Sequence, residues 1–146
     1  MTMTTKRALA EALKDLLTKR SLDKIPVKDI VEACGVNRQT FYYHFHDIYD
    51  LVEWIFVEEA GKLMAENLDF NNWTQVLEQV MNHLRENHAL TLNVYPSVSH
   101  ESVARYIQKG IRPYVSAIVR EQAQNMPIAD EDCDFVIDLF TLGVSG

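Results

Sequence analysis

The sequence predicts an all-α protein, with an N-terminal three-helix helix-turn-helix unit followed by a C-terminal helical bundle. Glycine and proline are scarce, with five and four residues in a chain of 146, which favours helices joined by short connections. Apolar residues recur at spacings of three and four along most of the chain, as on one face of a helix. Strand-like alternation of apolar and polar residues is nearly absent. We expect the two units to meet between residues 50 and 51.

The first three helices have clear start and stop signals. The first is predicted at residues 4–20, where six apolar residues form one stripe. Pro26 opens the second helix, where its missing N–H costs little, and Gly35 ends it in a left-handed conformation. Asn37 is a favourable N-cap for a third helix that extends towards Phe45. This order of helix, glycine turn and helix is that of a helix-turn-helix motif. The stripe of the first helix consists of Ala8, Leu9, Ala12, Leu13, Leu16 and Leu17.

The third helix carries a dense run of polar and aromatic side chains. Phe41 and Phe45 fall on its buried side, so the residues between and before them face outward. A soluble enzyme does not need such a run on an exposed helix of two turns, whereas a helix that lies in the major groove of DNA does. We interpret it as a recognition helix, with Arg38 and Gln39 as the base readers. Arg pairs with guanine and Gln with adenine through two hydrogen bonds, each pair contributing about 1–3 kcal/mol of discrimination.

The other outward residues fit supporting contacts to DNA. Tyr42 and His44 suit phosphate contacts, which set the register without reading sequence. Tyr43 can reach a base or a phosphate, and Thr40 a thymine methyl group or a phosphate. The alternative for these residues is packing at the edge of the core, or a first-turn role for Thr40. The complete set of predicted DNA-binding residues is Lys28, Asn37, Arg38, Gln39, Thr40, Tyr42, Tyr43 and His44.

Residues 51–146 are expected to form a helical ligand-binding and dimerisation domain. Asp47 caps the helix that leads into it, with Asp50 in place of the usual Glu of a capping box. The apolar last helix stops at residues 143–146 without a polar finish. We therefore expect the domain to be truncated at its C-terminus.

Breaks and helices are also predicted within this second domain. A break is expected at residues 67–72, followed by an amphipathic helix at 73–87. A long helix is predicted at 99–124, with a kink or a boundary near Arg112 because Pro113 lies inside it.

The distribution of charge along the chain is compatible with DNA binding but does not by itself predict it. The net charge is −7, but residues 1–50 carry eight Lys/Arg against seven Asp/Glu, and residues 51–146 carry six against fourteen. The acid is therefore concentrated away from the predicted recognition helix. No apolar run is long enough to span a bilayer and no signal peptide opens the chain, so we expect a cytoplasmic protein with no membrane partner.

Motifs for catalysis or metal binding are missing from the sequence. No two of the five histidines stand four positions apart, and Cys34 and Cys133 form no CxxC pair. No GxSxG, P-loop or GxGxxG pattern occurs. We therefore expect no enzymatic activity, no metal and no cofactor.

Three stretches of the first 60 residues carry a family resemblance. They are residues 25–45, which end in Phe-Tyr-Tyr-His-Phe, the capped helix start at 47–51, and Trp54-Ile55-Phe56. The first two resemble the DNA-binding unit of the TetR family of bacterial transcription regulators. The Arg-Gln-Thr-Phe-Tyr core and the third stretch resemble, more narrowly, the subgroup that includes regulators of dihydroxyacetone kinase operons. Residues 68–146 show only a generic helical pattern.

The resemblance implies a homodimer that places two recognition helices in the major groove of a palindromic DNA operator. It implies a repressor that is released when a small molecule binds the C-terminal unit; the alternatives are an activator, or a regulator controlled by a partner protein. Ile48 stands where the family often has a lysine that contacts phosphate, so one contact is expected to be lost. The family dimerises through its last two helices, the final one of which we expect to be missing. The predicted effector-binding residues, with core packing as the alternative, are Trp73, Tyr95, His100, Tyr106 and Tyr114.

Overall fold

The computed structural model describes residues 2–64 and 71–145, and within them the chain forms α-helices, two short 3-10 turns and no strand. The predicted all-α fold is confirmed. Most of the break predicted at 67–72 lies outside the described residues. The helices are α1 Thr2–Leu17, α2 Val27–Cys34, α3 Arg38–His44, α4 Ile48–Met64, α5 Trp73–Glu86, α6 His88–Val94, α7 His100–Gly110, α8 Arg112–Ala123 and α9 Asp130–Ser145.

These helices pack into two compact units, neither of which is continuous in sequence. The first consists of the described residues of Met1–Ile55 together with Leu84–Ser99. The second consists of the described residues of Phe56–His83 together with His100–Gly146. Packing thus joins α6 to the N-terminal helices. The functional boundary between residues 50 and 51 stays a prediction.

The core of the first unit is built on the apolar stripe of α1. Leu9, Leu13 and Leu17 are fully buried, as are Ile30 of α2 and Leu51 of α4. The three leucines repeat every fourth residue, so they lie on the face that α1 turns towards α2. The predicted stripe is therefore the packed face, although α1 ends at Leu17 and not at residue 20.

Two polar contacts attach the α6 segment to the same unit. The Asn93 amide donates a 2.6 Å hydrogen bond to the carbonyl of Leu17, the last residue of α1. This satisfies one of the carbonyl groups that a helix end leaves without a partner in the helix. The Ser97 hydroxyl lies 3.2 Å from a carboxylate oxygen of Asp23, which follows α1. The first contact is made at the C-terminal end of α1, and the second in the short turn between α1 and α2.

In the second unit, α9 packs on α7 and α8. Cys133, Ile137 and Thr141, spaced by four residues, form its buried face, and the Thr141 hydroxyl donates to the Ile137 carbonyl at 2.7 Å. The long helix predicted at 99–124 is divided, because α7 ends at Gly110 and α8 starts at Arg112. This boundary was predicted from the proline at position 113.

Gly110 is a close-packed position of the second unit. A Cβ atom there would lie 3.0 Å from Cε1 of Phe56 and 3.4 Å from Cβ of Ala60. Gly110→Val is therefore expected to lower the free energy of unfolding by about 1–3 kcal/mol through overpacking. Urea unfolding measures the change. The matched control is Ala117→Val on the exposed side of α8, and equal losses in the two variants would contradict the close contact.

Candidate nucleic-acid interface

The turn between α2 and α3 is fixed by Gly35. Its φ and ψ are 73° and 27°, in the left-handed region that glycine enters at little cost. The Val36 N–H donates to the Val31 carbonyl at 3.0 Å, and the Gly35 N–H to the Glu32 carbonyl at 3.4 Å. Together these bonds form a Schellman motif, which closes the end of α2. The predicted glycine stop is confirmed.

Asn37 starts α3 as predicted. Its side-chain oxygen accepts hydrogen bonds from the Thr40 backbone N–H at 2.8 Å and from the Thr40 hydroxyl at 2.9 Å. Such a cap contributes about 1 kcal/mol to a helix. Both residues therefore have a structural task within the protein, and their contact with DNA stays a prediction.

One face of α3 is exposed and carries four of the predicted DNA-binding side chains. Arg38, Gln39, Tyr42 and Tyr43 are all exposed, Tyr43 to 82%. At about 100° per residue they span roughly 140° of the helix circumference. Phe41 points the opposite way and is fully buried. The predicted division of α3 into a buried and an exposed side is confirmed for these five residues. Thr40 and His44, which were also predicted to face outward, are half-buried.

Aromatic contacts anchor α3 to the first unit. The Phe41 ring meets the Tyr42 ring edge-on at 5.2 Å between centroids and lies 5.8 Å from Phe45. The Phe45 ring continues the series to Trp54 of α4 at 6.1 Å. Phe45 is not helical, since α3 ends at His44 and Phe45 has an extended backbone (φ −135°, ψ 141°). Its predicted place in the core is confirmed, because it is almost completely buried.

The start of α4 differs slightly from the predicted capping box. Asp47 accepts a hydrogen bond from the Asp50 N–H at 2.8 Å, which is the expected cap. The Asp50 carboxylate bonds in return to the N–H of His46 at 2.9 Å, one residue before the cap. The carboxylates of these two aspartates therefore accept hydrogen bonds from backbone N–H groups where α3 leads into α4.

The start of α2 includes one contact that the sequence pattern did not indicate. Arg20 donates to the Asp29 carboxylate at 2.8 Å and to the Lys24 carbonyl at 3.3 Å. This pairing holds the first turn of α2 against the segment that follows α1. Lys28 is the exposed neighbour of Asp29. No regular spacing links positions 20 and 29, so only the fold could bring them together.

The five predicted effector-binding residues do not gather within one unit. Tyr95 belongs to the first unit and the other four to the second. Tyr106 is a core residue, buried at 5.9 Å between ring centroids from Phe56 of α4. The Tyr114 hydroxyl lies against Gly61, also on α4. The remaining two, Trp73 and His100, are exposed. Core packing thus accounts for Tyr106, and an effector role for the others stays a prediction.

The described residues offer little for metal or thiol chemistry. Among residues 2–64 and 71–145 no group of three His, Cys, Asp or Glu side chains is placed to hold a metal ion. The Cys34 thiol donates to the Ile30 carbonyl at 3.4 Å, and burial raises the pKa of that thiol. Cys133 is buried in α9. No helix in the described part of the chain is long and apolar enough to cross a bilayer.

The fold and the exposed face of α3 agree with the family models that the chain matches. Residues 9–55 match the model described as bacterial regulatory proteins, tetR family. Residues 71–146, more than half of the chain, match the C-terminal region model of TetR-type transcriptional regulators. The chain belongs to the TetR family. It is a DNA-binding transcriptional regulator and not an enzyme.

Two similar proteins are dihydroxyacetone kinase operon regulators. The HTH-type dhaKLM operon transcriptional activator DhaS of Lactococcus lactis subsp. lactis (strain IL1403) is 34% identical over 83 residues. That match spans 57% of this chain but only 44% of the length of the relative. A solved structure named dihydroxyacetone kinase operon activator DhaS is similar over 98% of this chain and 81% of its own, with a TM-score of 0.64 and 21% identity. At that identity the solved structure supports the fold alone.

Proposed function

We propose that this regulator binds a palindromic operator as a homodimer, with α3 of each protomer in the major groove of one half-site. The proposal rests on the exposed face of α3, whose opposite side is held in the core by the buried Phe41. Four side chains able to bond bases or phosphates project from a helix that the Gly35 turn and the Asn37 cap hold in place. A regulator of this kind acts in the bacterial cytoplasm, where the DNA is.

Within this proposal the predicted DNA-binding residues have separate roles. Arg38 and Gln39, in the first turn of α3, read base edges. Tyr43 lies one turn beyond Gln39 and reaches a base or a phosphate, while Tyr42 and His44 contact phosphates. Lys28, Asn37 and Thr40 complete the predicted contacts near the α2–α3 turn.

Arg38→Ala tests the base-reading role. We expect operator affinity to fall by about 1–3 kcal/mol per half-site and the preference for one base pair to disappear, because the two-pronged bond to guanine is lost. The measurement is binding to 30-bp duplexes that the wild-type protein has selected from a random pool, followed by binding to single-base variants.

Two further variants control this experiment. Arg38→Lys keeps the charge but cannot form the same planar pair of bonds, so it should also lose the base preference. Lys28→Ala should weaken binding to all sequences alike, as expected of a phosphate contact. If Arg38→Ala left both affinity and base preference intact, Arg38 would not be a base reader.

The dimer part of the proposal is supported by the outer face of α9. Its inner face, with Cys133, Ile137 and Thr141, is buried on α7 and α8. Ion pairs from Arg112 and Arg120 of α8 to carboxylates of α9 hold the two helices together. The outer face exposes four large apolar side chains by more than half of their surface, a feature typical of a protein interface. These are Phe135, Leu139, Phe140 and Leu142.

For the direction of regulation, two candidates differ in their effect on transcription. The family resemblance predicts a repressor released by a small molecule that binds the second unit. The name of the 34% identical relative, an operon transcriptional activator, favours activation, and it also favours dihydroxyacetone kinase genes as the target. A reporter fused to the DNA upstream of such genes separates the two: deleting the regulator lowers expression if it activates and raises expression if it represses.

A further inference from the structure

Lys6 lies early in the sequence of α1, yet the fold brings its ammonium group to the C-terminal end of α3. Its Nζ atom is 5.8 Å from the ring centroid of Phe45, the first residue after α3. The Phe45 ring is in turn 6.4 Å from the imidazole of His44, the last residue of α3. Lys6 and His44 therefore flank the same buried ring, at the point where the exposed helix ends.

The chain supplies no other permanent cation from the segment around this point. Residues 39–61 contain no Lys or Arg, but they contain five acidic residues. Asp47 and Asp50 are the nearest of these in sequence to the end of α3. Asp47 accepts a hydrogen bond from the Asp50 N–H in the first turn of α4, and Asp50 accepts one from the N–H of His46, before α4 begins. DNA carries an anionic phosphate about every 1.7 Å along the axis of the duplex. If acidic residues were the only charged groups near this end of α3, the DNA backbone would repel it. The ammonium of Lys6 offsets that acid.

Lys6 is available for an external anion. Within residues 2–64 and 71–145 no carboxylate is paired with its ammonium group, whereas Lys14 of the same helix lies 3.7 Å from Glu11. Its side chain is half-buried, with the charged end over the Phe45 ring. A cation–π contact of this kind orders the side chain without neutralising its charge.

We propose that Lys6 binds a phosphate of the DNA backbone at the C-terminal end of α3, beside His44. The inference rests on the proposed placement of α3 in the major groove. It gives the two ends of α3 different tasks. The first turn, with Arg38, reads bases, and the last turn, with His44 and Lys6, holds the backbone. Because a phosphate contact carries no sequence information, Lys6 contributes affinity and register but no base preference.

The test compares Lys6→Gln with the wild-type protein on a 30-bp duplex that the wild type has selected. Affinity is measured between 50 and 200 mM KCl, and log K is plotted against log salt. Loss of one phosphate contact should make the slope shallower by about 0.9 for each bound protomer. Lys6→Arg, which keeps the charge, should retain the wild-type slope. The matched control is Lys62→Gln, which removes one exposed charge from the last turn of α4 and should also leave the slope unchanged.

Urea unfolding of the same variants and binding to single-base variants of the duplex complete the test. A less stable Lys6→Gln protein with an unchanged salt slope would show that Lys6 serves only the packing of Phe45, and would overturn the inference. So would a change in base preference. Suppose that the wild type bound the duplex and that Arg38→Ala lost the base preference, but that Lys6→Gln kept the wild-type salt slope. The proposed function would then stand and only the inference about Lys6 would fail. A wild type that selected no duplex would overturn the proposed function and this inference together.

Discussion

Phe41→Ala is expected to lower the free energy of unfolding by about 3–5 kcal/mol. Phe41 is fully buried and contacts both the Tyr42 and the Phe45 rings, so truncation leaves a cavity under α3. A loss of this size is a large part of the 5–15 kcal/mol or so by which a typical domain is stable. Urea unfolding followed by circular dichroism measures it. DNA binding should weaken as well, because Phe41 is the fully buried residue of α3 itself and its ring packs on that of Phe45.

Tyr43→Ala is the matched control on the same helix. Tyr43 is 82% exposed, so its truncation should change the free energy of unfolding by about 0.5 kcal/mol or less. Its DNA affinity should nevertheless fall, since Tyr43 belongs to the proposed contact face. Similar unfolding energies for the two variants would contradict the assignment of one side of α3 to the core and the other to DNA.

Leu139→Glu is expected to convert the proposed dimer to a monomer. It places a charge in the middle of the outer apolar face of α9, where burial against a second protomer would cost several kcal/mol. A monomer loses the effective concentration that links two half-site contacts, so operator affinity should fall by about 10²–10⁴-fold. Sedimentation equilibrium gives the oligomeric state, and binding to the selected duplex gives the affinity.

The same substitution at Leu77 provides the comparison. Leu77 is an exposed leucine of α5, so Leu77→Glu adds an identical charge to a different apolar surface. The dimer should persist in this variant. If Leu77→Glu gave a monomer and Leu139→Glu did not, the interface would lie on α5 and the proposed α9 interface would be wrong.

The sequence was most informative where a structural feature depends on neighbours within a few positions. The left-handed Gly35, the Asn37 cap, the Asp47 cap and the helix boundary at Pro113 all follow from such local rules. The burial of Phe41 followed from helical periodicity. Even here the detail was incomplete, because α3 ends one residue before Phe45 and Asp50 bonds to His46.

Contacts between distant positions could not be predicted in this way. Lys6 meets Phe45 only because α1 and α3 fold together, and no pattern in α1 distinguishes Lys6 from Lys14. The candidate effector residues show a related difficulty. An aromatic side chain on an apolar helix face suits a core and a ligand site equally well, and Tyr106 proved to be core, against Phe56.

The bond between Asn93 and Leu17 has a consequence for building hybrid regulators. Recombination at the end of the N-terminal family match, near residue 55, would separate the last carbonyl of α1 from its amide donor, which lies 76 positions further on. A chimera joined there would take its residue at position 93 from the other parent, and the bond to Leu17 would then depend on that residue. The DNA-binding unit that could be transferred to another regulator therefore consists of two pieces, residues 2–55 and 84–99. Both pieces should be exchanged together if the transferred unit is to keep its native stability.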